Sequence, residues 1–213
     1  MGITFDEKTQ QFVFDFEHDK ENDIVQLSGE GYQVEAFGKC FYYGYEFSEQ
    51  VDSNVRSAFI QYVKFSKDLQ KDSNLTQFIK KAIDDLSRKI NLYDYQMVIM
   101  PESSSKVNQY MLRYIYRFAQ PTLHKMQLVK ALSQNISFDM DAYEKQILKF
   151  ADKEDERLCA SIRDQNVLII DDVTTSGSTL NEMLRTLRIL NEDNSIVVFS
   201  LIGRKDLMAD VIV

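Results

Sequence analysis

The spacing of apolar residues changes along this chain, and the first part has the pattern of β-strands. Residues 1–50 contain short aromatic and β-branched runs separated by polar turn residues: Ile3–Phe5, Phe12–Phe16 and Tyr32–Phe37. We expect these runs to form an antiparallel sheet that makes a β-rich N-terminal cap. Residues 41–45 are dense in aromatic side chains, which are either a base-stacking surface or part of the core or of a dimer contact.

Residues 51–90 have helical spacing instead. A first stripe includes Val55, Phe59 and Val63, and a second runs from Leu75 to Leu86. Between them, residues 72–74 interrupt the apolar pattern and offer capping side chains for a second helix. The pattern therefore predicts two helices before the next strand.

Two later segments repeat one arrangement: a buried strand, a loop of small hydroxyl residues, then a helix. In the first, the strand over residues 95–100 is followed by a serine-rich loop and a helix from Val107. In the second, the strand Val167–Ile170 is followed by two acids, a hydroxyl-rich loop and a helix from Leu180. Further strands are predicted at 127–132 and 196–201. Such runs are typical of parallel sheets. Residues 51–213 are therefore predicted to form an α/β core, a mostly parallel sheet with helices on both faces.

The second of these loops has the chemistry of a sugar-phosphate site. Small hydroxyl residues and a glycine at a helix N-terminus present N–H and O–H donors to a phosphate. Asp171 and Asp172 offer acceptors to the vicinal hydroxyls of a ribose. The alternative is a plain strand–turn–helix unit with solvated carboxylates and a capping Thr175 or Ser176.

The serine-rich loop over residues 103–106 offers hydroxyl donors and one positive charge to a second anion. The alternative is an N-capping serine followed by an exposed lysine. A further lysine, Lys130, lies inside the strand predicted at residues 127–132. A charge within a β run usually points away from the core, towards solvent or a ligand.

Composition narrows the class of protein. The formal net charge of −8 disfavours a nucleic-acid-binding surface. No apolar run approaches the roughly 20 residues of a membrane span, and the N-terminus has no signal-peptide pattern. Cys40 and Cys159 do not make a disulfide framework. We expect a cytoplasmic protein with no membrane partner, and we expect a homodimer.

Residues 167–180 resemble the phosphoribosyl-pyrophosphate binding motif of type I phosphoribosyltransferases: four aliphatic residues, two acids, then a Thr- and Gly-containing loop. Thr174 stands where that family usually has an aliphatic residue, and Ser176 stands for a common Thr. The resemblance implies that Asp171 and Asp172 are the catalytic carboxylates that take the ribose hydroxyls. It implies a 5′-phosphate site made by Thr174, Thr175, Ser176, Gly177, Ser178 and Thr179.

The same resemblance implies a pyrophosphate site made by Ser103, Ser104, Ser105 and Lys106, with Lys130 as a further contact. It implies Mg²⁺ carried by the pyrophosphate, with no direct protein ligand, and a mobile lid within residues 133–165. The implied reaction transfers a phosphoribosyl group from phosphoribosyl pyrophosphate to a nitrogenous acceptor.

The acceptor is the least determined part of this interpretation. Thr175 occupies the place of an Asp in 6-oxopurine enzymes, so the resemblance predicts an acceptor of another type. The stretch of aromatic residues at 41–45 and the short C-terminus also resemble ComF-like members. The alternative is a non-catalytic, ComF-like or regulatory protein that senses phosphoribosyl pyrophosphate or a nucleotide.

Overall fold

The computed structural model describes most of residues 1–119 and shorter stretches of the remaining chain. The described residues are 2–17, 25–27, 34–36, 39–48, 50–66, 69, 71–95, 97–101, 105–119, 122–126, 166–174, 180, 183–184 and 196–203. None of the helices in these ranges has the length and apolar character that a membrane crossing requires.

Two sheets are present among the described residues. Strands β1 (Gly2–Asp6) and β2 (Gln11–Asp15) pair as an antiparallel hairpin. The main sheet has the order β3-β5-β9-β8-β6-β7, with β4 also paired to β5. Its strands are β3 (Val25–Leu27), β4 (Val34–Ala36), β5 (Lys39–Phe47), β6 (Met97–Pro101), β7 (Thr122–Met126), β8 (Val167–Val173) and β9 (Ile196–Gly203).

Five neighbouring strands of the main sheet run parallel, from β5 through β9, β8 and β6 to β7. Strands β3 and β4 lie antiparallel to β5. The predicted α/β fold with a mostly parallel sheet is therefore confirmed. The division into a cap at 1–50 and a core at 51–213 stays a prediction, although β5 belongs to the main sheet by its hydrogen bonds.

Three helices form where the apolar stripes predict them: α1 (Ser53–Phe65), α2 (Ser73–Lys89) and α3 (Lys106–Ala119). Asp52 caps α1 by accepting from the backbone N–H groups of Asn54 and Val55. Asp72 caps α2 by accepting from the N–H of Leu75. Such caps satisfy N–H groups that the first turn of a helix leaves without partners.

The sheet buries a separate core on each face, which places helices on both faces. Helices α1, α2 and α3 pack on one face with β-strand residues such as Tyr45 and Ile170. On the other face, Leu180, Met183 and Leu184 of the helix after β8 pack against Phe41, Tyr43 and other strand residues. Continuous burial of β8 and β9 on both faces explains why most of their residues are apolar and do not alternate with polar ones.

The aromatic run at 41–45 belongs to this core. Phe41, Tyr43 and Tyr45 are buried in β5. The ring of Tyr45 stacks on that of Phe78 with 3.8 Å between centroids, and its hydroxyl donates to the Phe78 carbonyl oxygen at 2.9 Å. A base-stacking surface made by these three rings is therefore wrong, because packing against α2 and the opposite core uses them.

Strand β7 was not predicted from the sequence, and β8 is longer than predicted. Strand β7 ends at Met126, before the predicted strand at 127–132, which lies outside the described residues. Strand β8 continues through Asp171 and Asp172 to Val173 instead of ending at Ile170. The strand continues across these polar positions because it pairs with β9, where Asp171 lies opposite Ser200 and Val173 lies opposite Ile202.

Gly44 allows α2 to lie close to β5. A Cβ at this position would be 2.6 Å from the Cβ of Ala82 and 3.1 Å from the carbonyl oxygen of Leu201. We expect Gly44→Ala to lower the free energy of unfolding by about 1–3 kcal/mol through overpacking, measured by urea denaturation. The same change in an Ala82→Gly background should cost clearly less, since the clashing methyl group is gone. Equal costs in both backgrounds would contradict this explanation.

Candidate functional site

The polar residues of interest lie at the C-terminal edge of the parallel strands. Because β6 and β8 are parallel neighbours, Pro101 at the end of β6 and Val173 at the end of β8 are at the same edge of the sheet. The predicted pyrophosphate loop follows the first strand, and the predicted phosphate loop follows the second. An open α/β sheet binds its ligands at this edge.

Asp171 and Asp172 are buried at this edge, with 7% and 4% of their surfaces exposed. The Asp171 carboxylate accepts a hydrogen bond from the Asp172 backbone N–H at 2.9 Å. The Asp172 carboxylate accepts one from the Val173 backbone N–H at 2.7 Å. Each carboxylate is thus oriented by the next peptide N–H. Their burial argues against the alternative in which both are solvated turn residues.

Burial and like charge make Asp171 hard to ionise. Burial, followed by the charge of Asp172, raises the pKa of Asp171 from 3.8 to about 7. The hydrogen bond from the Asp172 N–H, the positive charge of Lys64 and the amide of Asn108 act in the opposite direction. Such a perturbed carboxyl in a polar group of residues is typical of functional sites.

Lys64 and Asn108 were not identified from the sequence. Lys64 lies in the last turn of α1, and Asn108 in the first turn of α3. Both helices contact β8. A sequence signal existed for Asn108, because it shares helical spacing with Met111, Leu112 and Ile115, and is thus a polar residue on an apolar stripe. No local signal exists for Lys64.

Thr174 takes part in a buried hydrogen-bond chain. Its hydroxyl donates to the Ser200 hydroxyl at 2.9 Å, and Ser200 donates to the Ile202 carbonyl oxygen at 2.8 Å. The Thr174 backbone N–H also donates to the Ile202 carbonyl oxygen at 2.9 Å. The single hydroxyl proton of Thr174 is therefore directed into the protein, away from a phosphate. These hydrogen bonds fix the first residue of the predicted phosphate loop to β9.

We expect Thr174→Val to lower the free energy of unfolding by about 1 kcal/mol, because the buried Ser200 oxygen loses its donor while the side-chain volume is kept. Thermal or urea denaturation measures the change. Thr76→Val is a matched control, since the Thr76 hydroxyl donates to the Ser73 carbonyl oxygen at an exposed site. Equal effects of the two substitutions would show that the buried chain contributes nothing.

The predicted pyrophosphate loop is described only at its end. Ser105 is buried, and its hydroxyl oxygen accepts from the Val107 N–H at 3.3 Å, which is a helix N-cap contact. Lys106 is exposed. The capping arrangement left open by the sequence is thus present, and it leaves the anion role of this loop a prediction. Outside the described residues lie Ser103, Ser104, Lys130, Thr175, Ser176, Gly177, Ser178, Thr179 and the proposed lid at 133–165.

Within the described part of the chain, no group of three or more His, Cys, Asp or Glu side chains could hold a metal ion. The two adjacent carboxylates supply hard oxygen atoms of the kind that Mg²⁺ prefers. Two carboxylates suit a hydrated ion that is held mainly by a ligand, because Mg²⁺ keeps several of its waters.

Residues 114–202 match the family model described as the phosphoribosyl transferase domain. The match includes Asp171, Asp172 and Thr174. No curated protein matches the sequence.

Solved structures that this chain matches include a hypoxanthine-guanine-xanthine phosphoribosyltransferase, at 12% identity and a TM-score of 0.35. That comparison covers 61% of this chain and 62% of the other, so this chain spans less than two thirds of that protein. A purine phosphoribosyltransferase from Pyrococcus horikoshii Ot3 is 15% identical, with 60% and 83% covered and a TM-score of 0.38. A phosphoribosyltransferase from Corynebacterium diphtheriae is 13% identical, with 70% and 93% covered and a TM-score of 0.32.

Proposed function

We propose that this chain is a type I phosphoribosyltransferase, which transfers a 5-phosphoribosyl group from phosphoribosyl pyrophosphate to a nitrogenous acceptor; the match of residues 114–202 to the phosphoribosyl transferase domain supports this. The observation that carries the proposal is the buried pair Asp171 and Asp172 at the C-terminal edge of β8. The pair lies inside the matched domain and directly before a hydroxyl-rich loop.

In this proposal the carboxylates accept hydrogen bonds from the ribose hydroxyls. Only the ionised form of Asp171 offers acceptor positions on both of its oxygens, because a protonated carboxyl has an O–H donor in place of one of them. Thr175 to Thr179 hold the 5′-phosphate through N–H and O–H donors. Ser103 to Lys106 hold the pyrophosphate, with Lys130 as a further cation. Thr174 contributes by tying this loop to Ser200.

Magnesium fits the residues present. A divalent cation would favour the ionised form of two adjacent buried carboxylates, one of which is hard to ionise. Mg²⁺ bound to the pyrophosphate would neutralise charge on the leaving group, with Asp171 and Asp172 as contacts through water.

The reaction breaks the bond between the anomeric carbon and the pyrophosphate oxygen, and forms a carbon–nitrogen bond to the acceptor. Pyrophosphate leaves with the electron pair, and the acceptor nitrogen loses its proton. The protein contributes by positioning both reactants and by stabilising charge on the leaving group. Thr175 in place of an Asp supports an acceptor other than a 6-oxopurine.

The test is an assay of pyrophosphate release with phosphoribosyl pyrophosphate, Mg²⁺ and a panel of purine, pyrimidine and other nitrogenous acceptors. Release that depends on one acceptor supports the transferase. Tight binding of phosphoribosyl pyrophosphate, measured by calorimetry, without release across the panel would instead support a sensor. Absence of both binding and release would overturn the proposal.

A further inference from the structure

A groove lies along the polar side of α2, outside the two predicted loops. Its floor is the helix surface from Gln77 to Arg88, and its walls are Phe16, which follows β2, and Tyr114 of α3. None of its lining residues belongs to β8 or to either predicted loop. Its volume of about 360 Å³ is within the range of pockets that hold small organic molecules. The groove is therefore large enough for a ligand of its own.

The two carboxylates of the groove are engaged by donors other than its cations. Asp84 Oδ1 accepts a hydrogen bond from the Tyr114 hydroxyl at 3.0 Å. Asp85 Oδ2 pairs with Lys89 Nζ at 2.6 Å, and Lys89 does not line the groove. Both carboxylates thus have partners within the protein, which leaves the cations of the groove to be considered separately.

Three cations line the groove: Lys80, Lys81 and Arg88. Each lysine stands four residues before a carboxylate, and Arg88 stands four residues after one, a spacing at which ion pairs form on helices. None of the three makes an ion pair among the residues that the structure describes. The Lys81 ammonium instead donates to the Phe16 carbonyl oxygen at 3.4 Å. These cations are therefore available to an anion from outside the chain.

The excess of positive charge indicates a doubly charged ligand. Once Asp85 is matched with Lys89, the lining holds three cations and one carboxylate, a net charge of +2. This excess is local, because the whole chain carries a formal net charge of −8. A phosphate monoester carries a charge of about −1.5 to −2 at pH 7 and offers three acceptor oxygens to ammonium and guanidinium donors. The volume and the two aromatic walls leave room for an organic part beside the phosphate.

We propose that this groove binds a small organic phosphate, with the phosphate group held by its three cations and the organic part packed against its two aromatic walls. The site goes beyond the proposed transferase and uses none of the residues assigned to that reaction. A carboxylate with a single charge would match only half of the excess positive charge, so it binds more weakly than a phosphate monoester.

The experiment uses phenyl phosphate, a ring that carries one phosphate group, with inorganic phosphate and phenol as its two separate parts. Calorimetry measures the Kd of each at low ionic strength and about pH 7.5, where the phosphate monoester is mostly a dianion. The test variant carries Lys80→Gln and Arg88→Gln. The matched control carries Lys8→Gln and Arg113→Gln, which remove the same charge from two exposed positions outside the groove. Backbone amide NMR locates the bound probe.

We expect phenyl phosphate to bind the parent protein at least about 10-fold more tightly than either of its parts, because the cations and the aromatic walls both contribute. Its Kd should rise roughly 10-fold or more in the test variant and less than about 2-fold in the control. The amide shifts that it causes should lie in residues 77–88 and around Phe16 and Tyr114. Both variants change exposed or half-buried side chains, so both should fold as stably as the parent.

Equal losses of affinity in the test variant and the control would overturn the proposal, because the general field of the protein would then account for binding. Failure of the parent protein to bind phenyl phosphate would overturn it as well. Amide shifts confined to residues 174–180 would place the probe at the predicted 5′-phosphate loop, which would overturn the groove site and support the proposed function. Equal affinity for phenyl phosphate and inorganic phosphate would refute the role of the aromatic walls.

Discussion

Replacing both Asp171 and Asp172 with Asn is expected to abolish measurable pyrophosphate release while making the ligand-free protein more stable. Asparagine keeps an oxygen that can accept the backbone N–H bonds now made at 2.9 and 2.7 Å, so the strand end keeps its geometry. It places NH₂ groups where the ribose hydroxyls need acceptors. We expect turnover to fall by about 100- to 1,000-fold or more.

The gain in stability has a separate cause. At about pH 8 the parent protein holds an ionised Asp171 in a buried position beside Asp172, and the double variant does not. The free energy of unfolding should rise by on the order of 2 kcal/mol. Urea denaturation and the release assay on the same preparations measure both effects. The double substitution Asp84→Asn and Asp85→Asn, which changes two adjacent acids on α2, is a matched control and should leave pyrophosphate release in place. Release that survives in the Asp171→Asn, Asp172→Asn variant would refute the assigned role of these carboxylates.

The stability of the ligand-free protein is expected to fall as pH rises through neutrality. The pKa of Asp171 is about 7 in the folded protein and near the usual 3.8 when the chain unfolds. Between these values the folded state binds a proton that the unfolded state has lost, so protonation favours folding. This difference in pKa corresponds to a loss of at most about 4 kcal/mol in the free energy of unfolding. About 2 kcal/mol of that loss occurs between about pH 5.5 and about pH 8.5.

Denaturation curves across this range measure the effect, with Asp171→Asn as the reference for all other titrating groups. The parent protein should lose stability with rising pH relative to this variant. Asp172→Asn should show a weaker dependence, because it removes the neighbouring charge that raises the pKa of Asp171. Stability that rises with pH relative to Asp171→Asn would contradict the buried, hard-to-ionise carboxyl.

Ligand affinity should depend on pH in the opposite direction. In the proposed complex the ribose hydroxyls need the ionised Asp171, so affinity for phosphoribosyl pyrophosphate should increase as stability decreases. One group would then weaken the fold and strengthen binding in the same pH range. Such opposition is common where a functional site retains a costly charge.

Local patterns were sufficient for much of the fold. The stripe from Leu75 to Leu86 predicted α2, and the capping role of Asp72 follows from its side-chain chemistry. The apolar runs of β6, β8 and β9 predicted parallel strands because burial on both faces leaves no polar alternation.

Other elements have no adequate local signal. The aromatic run in β5 became a strand of the main sheet because it pairs with β9, about 150 residues later in the chain. Strand β7 has the sequence Thr-Leu-His-Lys-Met, which is too polar to indicate a strand, and its pairing with β6 supports it. The extension of β8 through two acids likewise depends on β9.

For the site, the sequence by itself determined which chemical groups follow the strands. They are two acids, small hydroxyl residues and a lysine, in an order that resembles the phosphoribosyl-pyrophosphate binding motif. Periodicity and motif order depend on neighbours along the chain, so they are readable without coordinates. Only the tertiary structure decided that Asp171 is buried, and that the Thr174 hydroxyl donates to Ser200. Burial, pKa and hydrogen-bond partners depend on groups brought together from distant positions, and no local pattern encodes those distances.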